Sequence, residues 1–384
     1  MRILSVVGDG PEALRLAPLA RALGERPDVE HVVVHTGAPG VTAGARSVFR
    51  ELDLPTPAHH LGVARGTHAA EIGAAMLALE PILGEVAPDV TLVYGDGNAA
   101  VAAALVAAGL GGSVGHVEAG LRCGDWSRPD ELNRAIVDRV SALLFAPSRD
   151  AVEQLALEGA AEERVHFVGS TLIDTLSWTL PRARANEVAR GLGVCAGAYA
   201  VAAIDQPATV DDPEILGEVV AALQRVAAST PVLWCVEPHT RQRVEALDMR
   251  RAPDGCLVLL EPLPYVDLAA LIAGAGVVVT DANDLQEETT FLGVPCVTVG
   301  SSTARAMTCL VGTNRLVQPR CDTLVAAVQR AIARRSPARP VVERWDGRAA
   351  ERIVAVVCDG ARVDDPASRP ARHSVATAEP LGAA

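Results

Sequence analysis

Along this chain, short apolar runs rich in β-branched residues alternate with longer stretches of alanine and leucine. Six runs in the first half read as strands: ILSVV, HVVVHT, VTLVYG, SVGHV, ALLFAPS and VHFVGS. Six more, YAVAAI, PVLWCVE, CLVLLE, VVVTD, PCVTVG and LVQP, repeat the pattern in the second half. Segments such as PEALRLAPLARAL lie between them and predict helices. Strands buried on both faces and separated by helices imply parallel sheets.

The expected fold class is α/β, with two doubly wound Rossmann-like domains facing a central cleft. Residues 1–175 are expected to form an N-terminal Rossmann-like domain carrying acidic catalytic residues, and 185–360 a C-terminal nucleotide-binding domain. Near 170–190, HFVGS gives way to TLIDTLSW and an arginine-rich helix, which predicts a hinge. Residues 361–384 contain almost no large apolar side chains and are expected to be a disordered tail. In doubly wound sheets ligands bind beyond the carboxyl ends of the strands, so the loops that follow strands are the places to search.

The chain has 384 residues, 49% of them hydrophobic, and a mean hydropathy of +0.24. That is long enough for two cores, yet no apolar run reaches the ~18 residues of a membrane span. The opening RILSVV enters a strand with no basic leader region, so a cytoplasmic location is expected. Eight cysteines without a CxxC pair give neither a zinc cage nor a disulfide framework, and most are expected to be reduced core residues. A net charge of −13 argues against nucleic acid as a partner. All 34 basic residues are arginine. The absence of lysine excludes Schiff-base chemistry and a Walker A phosphate loop. An anionic ligand must then be held by arginine, backbone N–H groups and helix N-termini.

GDGPEALRLAPL, after the first strand, imitates a dinucleotide fingerprint with Gly8, Gly10 and Ala13. The second strand ends in His35 and Thr36 rather than a ribose-binding acid, and Pro11 removes a donor, which argues against a nicotinamide site. Arg15, one turn on, is either an exposed arginine or an anion ligand in the cleft. Asp96 lies between glycines at the end of VTLVYG, where it is a helix cap or a cleft carboxylate. GHVEAGLRCGDWSRPDELNR, residues 115–134, crowds charges, glycines and a proline. Glu118 follows its strand directly, and Glu131 opens a helix where an acid also complements the dipole. Asp96, Glu118 and Glu131 together offer groups for acid–base work, which requires at least one pKa raised by burial or like charge. In VVVTDANDLQEETTFLGVP, Asp281 ends a strand, and Glu288 is either a first-turn acid or a ribose acceptor.

The order GPEALRLAPL, LGVARGTHAAEIG, PDVTLVYGD, GHVEAGLRCGDWSRPDELNR, HFVGSTLIDTL, EPLPYVDLAALIAGAGVVVTD and LQEETTFLGVP resembles the non-hydrolysing UDP-N-acetylglucosamine 2-epimerases over roughly residues 1–335. The resemblance implies the glycosyltransferase-B arrangement, a homodimer, a nucleotide-sugar substrate, no membrane partner and no metal or redox cofactor. It implies elimination of UDP across C1–C2 to a 2-acetamidoglucal and re-addition on the other face. It assigns Asp96, Glu118 and Glu131 to catalytic positions, and Arg15, Arg134, Glu288 and Arg305 to substrate binding.

Departures cluster around the phosphate. An arginine of the first loop is Gly10 here, and a Ser-Gly-Gly loop is Ala282-Asn283-Asp284, which would set a carboxylate against phosphate, a repulsion unless a counter-cation is supplied. A histidine and arginine become Ile204 and Asp205, the closing loop STARAMT lacks its flanking acids, and a Gln-His pair of a regulatory site becomes Ala38-Pro39. The first expectation is an epimerase in specialised sugar assembly, such as antibiotic biosynthesis, on the strength of the arginine and alanine bias. Alternatives on the same scaffold are a hydrolysing epimerase, a glycosyl-transfer enzyme, or a non-catalytic homologue acting as a partner.

Overall fold

A computed structural model describes residues 1–8, 10–37, 48–185, 188–247, 256–334 and 339–363. The first sheet contains β1 (Arg2–Val7), β2 (Glu30–His35), β3 (His59–His60), β4 (Val90–Tyr94), β5 (Ser113–Val117), β6 (Leu143–Ala146) and β7 (Val165–Phe167). Its order is β3-β2-β1-β4-β5-β6-β7, and every pairing is parallel. The second sheet contains β8 (Ala200–Ala203), β9 (Val232–Cys235), β10 (Leu257–Leu260), β11 (Val277–Thr280), β12 (Cys296–Val299) and β13 (Asn314–Val317). Its order is β10-β9-β8-β11-β12-β13, again all parallel. Two doubly wound α/β units result, as the apolar runs predict. Only β3, two residues long, had no sequence signal.

The strands are covered on both faces, which explains their near-continuous apolar character. On one face of the first sheet the helix Asn98–Gly109 is almost wholly alanine and valine. Its small side chains let it lie buried beneath the helix His68–Val86, whose Ala75, Leu79 and Leu83 join the same cluster. On the other face the helix Gly10–Gly24 contributes Leu16, Leu19 and Leu23.

The expected second unit, 185–360, is corrected at its end. The helix Ala349–Val363 inserts Ile353, Val354, Val357 and Cys358 into the core of the first sheet, beside Ile3, Val7 and Leu16. Asp174 fixes its start, accepting from the backbone N–H groups of Ala349 and Ala350 at 3.1 and 2.8 Å. An amphipathic stripe predicts a helix but not which sheet it will cover. Of the tail expected from residue 361, residues 364–384 lie outside the described residues, as do Ala38 and Pro39. Cysteine placement also differs from expectation: Cys296 and Cys358 are buried, whereas Cys195 and Cys309 are exposed. No described helix is long and apolar enough to cross a membrane.

Candidate active site

Each sheet reverses its winding beside its first strand, between β1 and β4 and between β8 and β11. Such switch points open a crevice at the carboxyl ends of the strands. A cleft of about 410 Å³ lies there, lined from both domains by Arg15, Asp96, Asn98, Gln206, Asp284 and Arg305 among others. That volume falls in the range of small-molecule sites, ~300–1,000 Å³.

A chain of alternating charges crosses the gap between the domains. Glu118 follows β5 with φ of 75°, a left-handed conformation that costs a non-glycine residue about 1–3 kcal/mol and recurs at functional sites. Its Oε2 meets Nε of Arg15 at 2.7 Å and Nη2 of Arg305 at 2.9 Å. Arg15 also reaches Asp284, with Nη2 2.5 Å from Oδ1. Arg305 continues the chain to Glu287, whose Oε2 accepts from the Ser170 hydroxyl at 2.6 Å. Burial pushes Glu118 up, but Arg15 and Arg305 outweigh it and hold the carboxyl below its usual range. Glu287 is pushed up to about 7, because burial there exceeds the help that Arg305 gives. Within this series of ion pairs, the buried Oε1 of Glu118 and Nη1 of Arg305 are among the atoms with no hydrogen-bond partner in the described residues.

A second group lies behind the cleft wall. Glu131 and Arg134, one turn apart on the helix Pro129–Val140, share a face. The Arg134 guanidinium pairs with Asp96, with Asp130 at 3.0 Å and with Glu131 at 3.1 Å. Glu131 also accepts from the backbone of Cys123 at 3.0 Å and Gly124 at 2.7 Å, which straps the charged loop onto the helix. Asn133 donates to the Asp96 carbonyl at 2.8 Å. His116, inside β5, is held by Asp138 at 2.6 Å and by the Gly95 carbonyl at 2.8 Å, which steadies the turn that carries Asp96.

The three predicted acids are thus drawn into one region, but not equivalently. Asp96 lines the cleft. Glu118 stands behind it with one unpartnered oxygen. Glu131 is buried, its carboxylate engaged by N–H groups and Arg134. The expectation that one of this trio has a raised pKa is not met by Glu118 or Glu131. Burial raises Glu131, but the N–H groups of Cys123 and Gly124 and the charge of Arg134 bring it below its usual range. Strongly raised acids stand nearby in the second domain: Glu287, and Glu288, which burial pushes up to about 8.

Arg15, Arg134 and Arg305, the predicted substrate-binding arginines, are all buried and paired with carboxylates. Glu288 is buried, and its Oε1 accepts from the Tyr265 hydroxyl at 2.8 Å. Asp284 does have a cation beside it, since Arg15 pairs with its carboxylate. At the edge of the second sheet, Asp281 accepts from the backbone of Asp205 and Gln206, both at 3.0 Å, and is pushed by burial up to about 6. Ile204 is fully buried. A side chain at Gly10 would meet open space. Sequence reasoning passed over Glu287, Asn133 and Ser170. Glu287 adjoins Glu288 in the stretch VVVTDANDLQEETTFLGVP, and only its partners Arg305 and Ser170 distinguish it from an ordinary acid near a helix start.

Two parallel α/β domains with paired carboxylates and arginines along their shared seam define a two-domain protein of the nucleotide-cleft class. The model of the UDP-N-acetylglucosamine 2-epimerase family matches residues 21–358, and the chain belongs to that family. It is 31% identical to a UDP-N-acetylglucosamine 2-epimerase of Methanocaldococcus jannaschii, covering 94% of this chain and 100% of the relative. A Pseudomonas aeruginosa UDP-2,3-diacetamido-2,3-dideoxy-D-glucuronate 2-epimerase is 29% identical, over 87% of this chain and 93% of its own length. The crystal structure of the M. jannaschii enzyme in complex with UDP-GlcNAc and UDP superposes with a TM-score of 0.87, covering 94% of this chain and 100% of that one.

Proposed function

We propose that the chain is a sugar-nucleotide 2-epimerase that interconverts UDP-GlcNAc and UDP-ManNAc by eliminating and re-adding UDP. A base removes the C2 proton, its electron pair forms the C1=C2 bond, and the C1–O bond breaks as UDP departs with that pair. Re-addition of UDP at C1 and return of a proton to the opposite face of C2 balance the cycle. Asp96 on the cleft wall and Glu118, kept ionised by Arg15 and Arg305, take the proton-handling roles. Glu131 positions Arg134 and the loop 123–124. Arg15 and Arg305 meet the diphosphate, Arg134 braces Asp96, and Glu288 faces the ribose. The observation that carries this reading is the convergence of Asp96 and Glu118 from the ends of adjacent strands β4 and β5, with Oε1 of Glu118 unpartnered. Incubation with UDP-GlcNAc followed by NMR of the products tests it. UDP-ManNAc supports the reading, free ManNAc indicates the hydrolysing variant, and unchanged substrate contradicts both.

A second reading, a non-catalytic homologue that serves as a partner protein, draws on the acidic edge formed by Asp205, Asp281 and Asp284. Calorimetry separates the two, since a protein of that kind binds neither UDP nor UDP-GlcNAc at millimolar concentration. We also infer a homodimer, from the family resemblance, and a place in specialised sugar assembly such as antibiotic biosynthesis, from the arginine and alanine bias. Sedimentation equilibrium and gene-disruption product profiles, respectively, test these.

A further inference from the structure

Asp284 and Arg15 approach one another from opposite sides of the cleft. Arg15 rises from the helix Gly10–Gly24 of the first domain, and Asp284 sits in the first turn of the helix Asn283–Leu292 of the second. Both η nitrogens of the guanidinium address the carboxylate, at 2.5 and 3.3 Å. The side chains are only 5% and 19% exposed, so solvent screens the pair weakly. Arg305 lines the same cleft and keeps a buried Nη1 without a hydrogen-bond partner among the described residues.

A carboxylate that presents two oxygens to a guanidinium makes the same contact as a phosphate. We propose that Asp284 is an internal anion that latches the two domains together when no ligand is bound and sets the selectivity of the cleft. A phosphate-bearing ligand gains Arg15 only by displacing it. The inference rests on the sugar-nucleotide reading for the identity of the displacing anion, a nucleoside diphosphate, but not for the latch itself. Two effects oppose that ligand: the Arg15–Asp284 pair must break, and the released carboxylate stays beside the phosphate charge. Neutralising Asp284 removes both. It also removes one tie across the gap, loosening a closure that Arg305–Glu118 and Ser170–Glu287 still hold in part, but a diphosphate lying between Arg15 and Arg305 re-forms the bridge itself, so tighter binding is the net result.

Asp284→Asn retains the size of the side chain without its charge, and Asp284→Gly removes it. Calorimetry with UDP and small-angle scattering of the unliganded proteins form the test. Both variants are expected to bind UDP roughly tenfold tighter than the unsubstituted chain. Without UDP both should have a larger radius of gyration that contracts on adding it, while the unsubstituted chain is compact from the start. A UDP affinity within about twofold of the unsubstituted chain in both variants, or unliganded scattering unchanged by Asp284→Asn, overturns the latch. C2 exchange by the unsubstituted enzyme together with either of those results would retain the epimerase and reject the latch. Failure of every protein to bind UDP would reject the nucleotide reading, and the scattering would still decide whether the domains are latched.

Discussion

Arg305 of the second domain donates to Glu118 of the first at 2.9 Å. The carboxylate behind the cleft wall is therefore oriented and kept ionised by a residue that arrives only when the domains meet. On the proposed reading, in which Glu118 handles a proton, domain closure would also prepare that carboxylate: separation of the sheets would leave Glu118 with Arg15 alone.

Removing that cation should be visible in the pH profile. In Arg305→Gln, Glu118 keeps its burial, which raises its pKa, and loses one of the two charges that lower it. The acid limb of kcat/KM, where activity rises as the base ionises, should move to higher pH by about one unit or more. An acid limb that stays in place would mean that Glu118 is not the titrating base.

Glu131 should matter first to folding. Glu131→Ala deprives the Cys123 and Gly124 N–H groups of their acceptor and the buried Arg134 of one partner. A loss of about 1–3 kcal/mol in denaturant unfolding is expected from the unsatisfied groups, together with a fall in kcat as Arg134 and Asp96 lose their geometry. Unchanged stability would assign Glu131 a role at the substrate instead.

Glu288 should make stability depend on pH. Its folded pKa is raised, to about 8, so the folded state holds a proton that the unfolded state has released. The associated stability is present below the unfolded value, near 4.5, and is lost as pH climbs toward 8. Glu287, raised to about 7, adds to the same trend. Between pH 6 and 8, Glu288→Gln should lose less stability than the unsubstituted chain, by roughly 1–2 kcal/mol in urea titrations. Parallel curves for the two proteins would contradict the assignment.

Much of this architecture was legible because buried parallel strands must be apolar throughout, so twelve runs marked β1, β2 and β4–β13 directly. The return of Ala349–Val363 to the first sheet was not, since its apolar stripe fits either core and the deciding contact, Asp174 with Ala349 and Ala350, spans the whole second domain. At the site, Asp96, Glu118 and Glu131 could be named from loops that follow strands or open helices. Their inequality could not, because it depends on which arginine each one meets. Arg15 and Asp284 were each singled out, yet their pairing was invisible: 269 positions separate them, and only the closure of two independent sheets brings them together.

The most direct measurement is deuterium incorporation at C2 of UDP-GlcNAc incubated with the protein in D2O. The account predicts exchange at C2 with the unsubstituted chain and a loss of about 10²- to 10⁴-fold in Asp96→Asn, a side chain on the cleft wall whose removal leaves Arg134 paired with Asp130 and Glu131. No exchange at C2 of any UDP-N-acetylhexosamine, or exchange undiminished in Asp96→Asn, would contradict it.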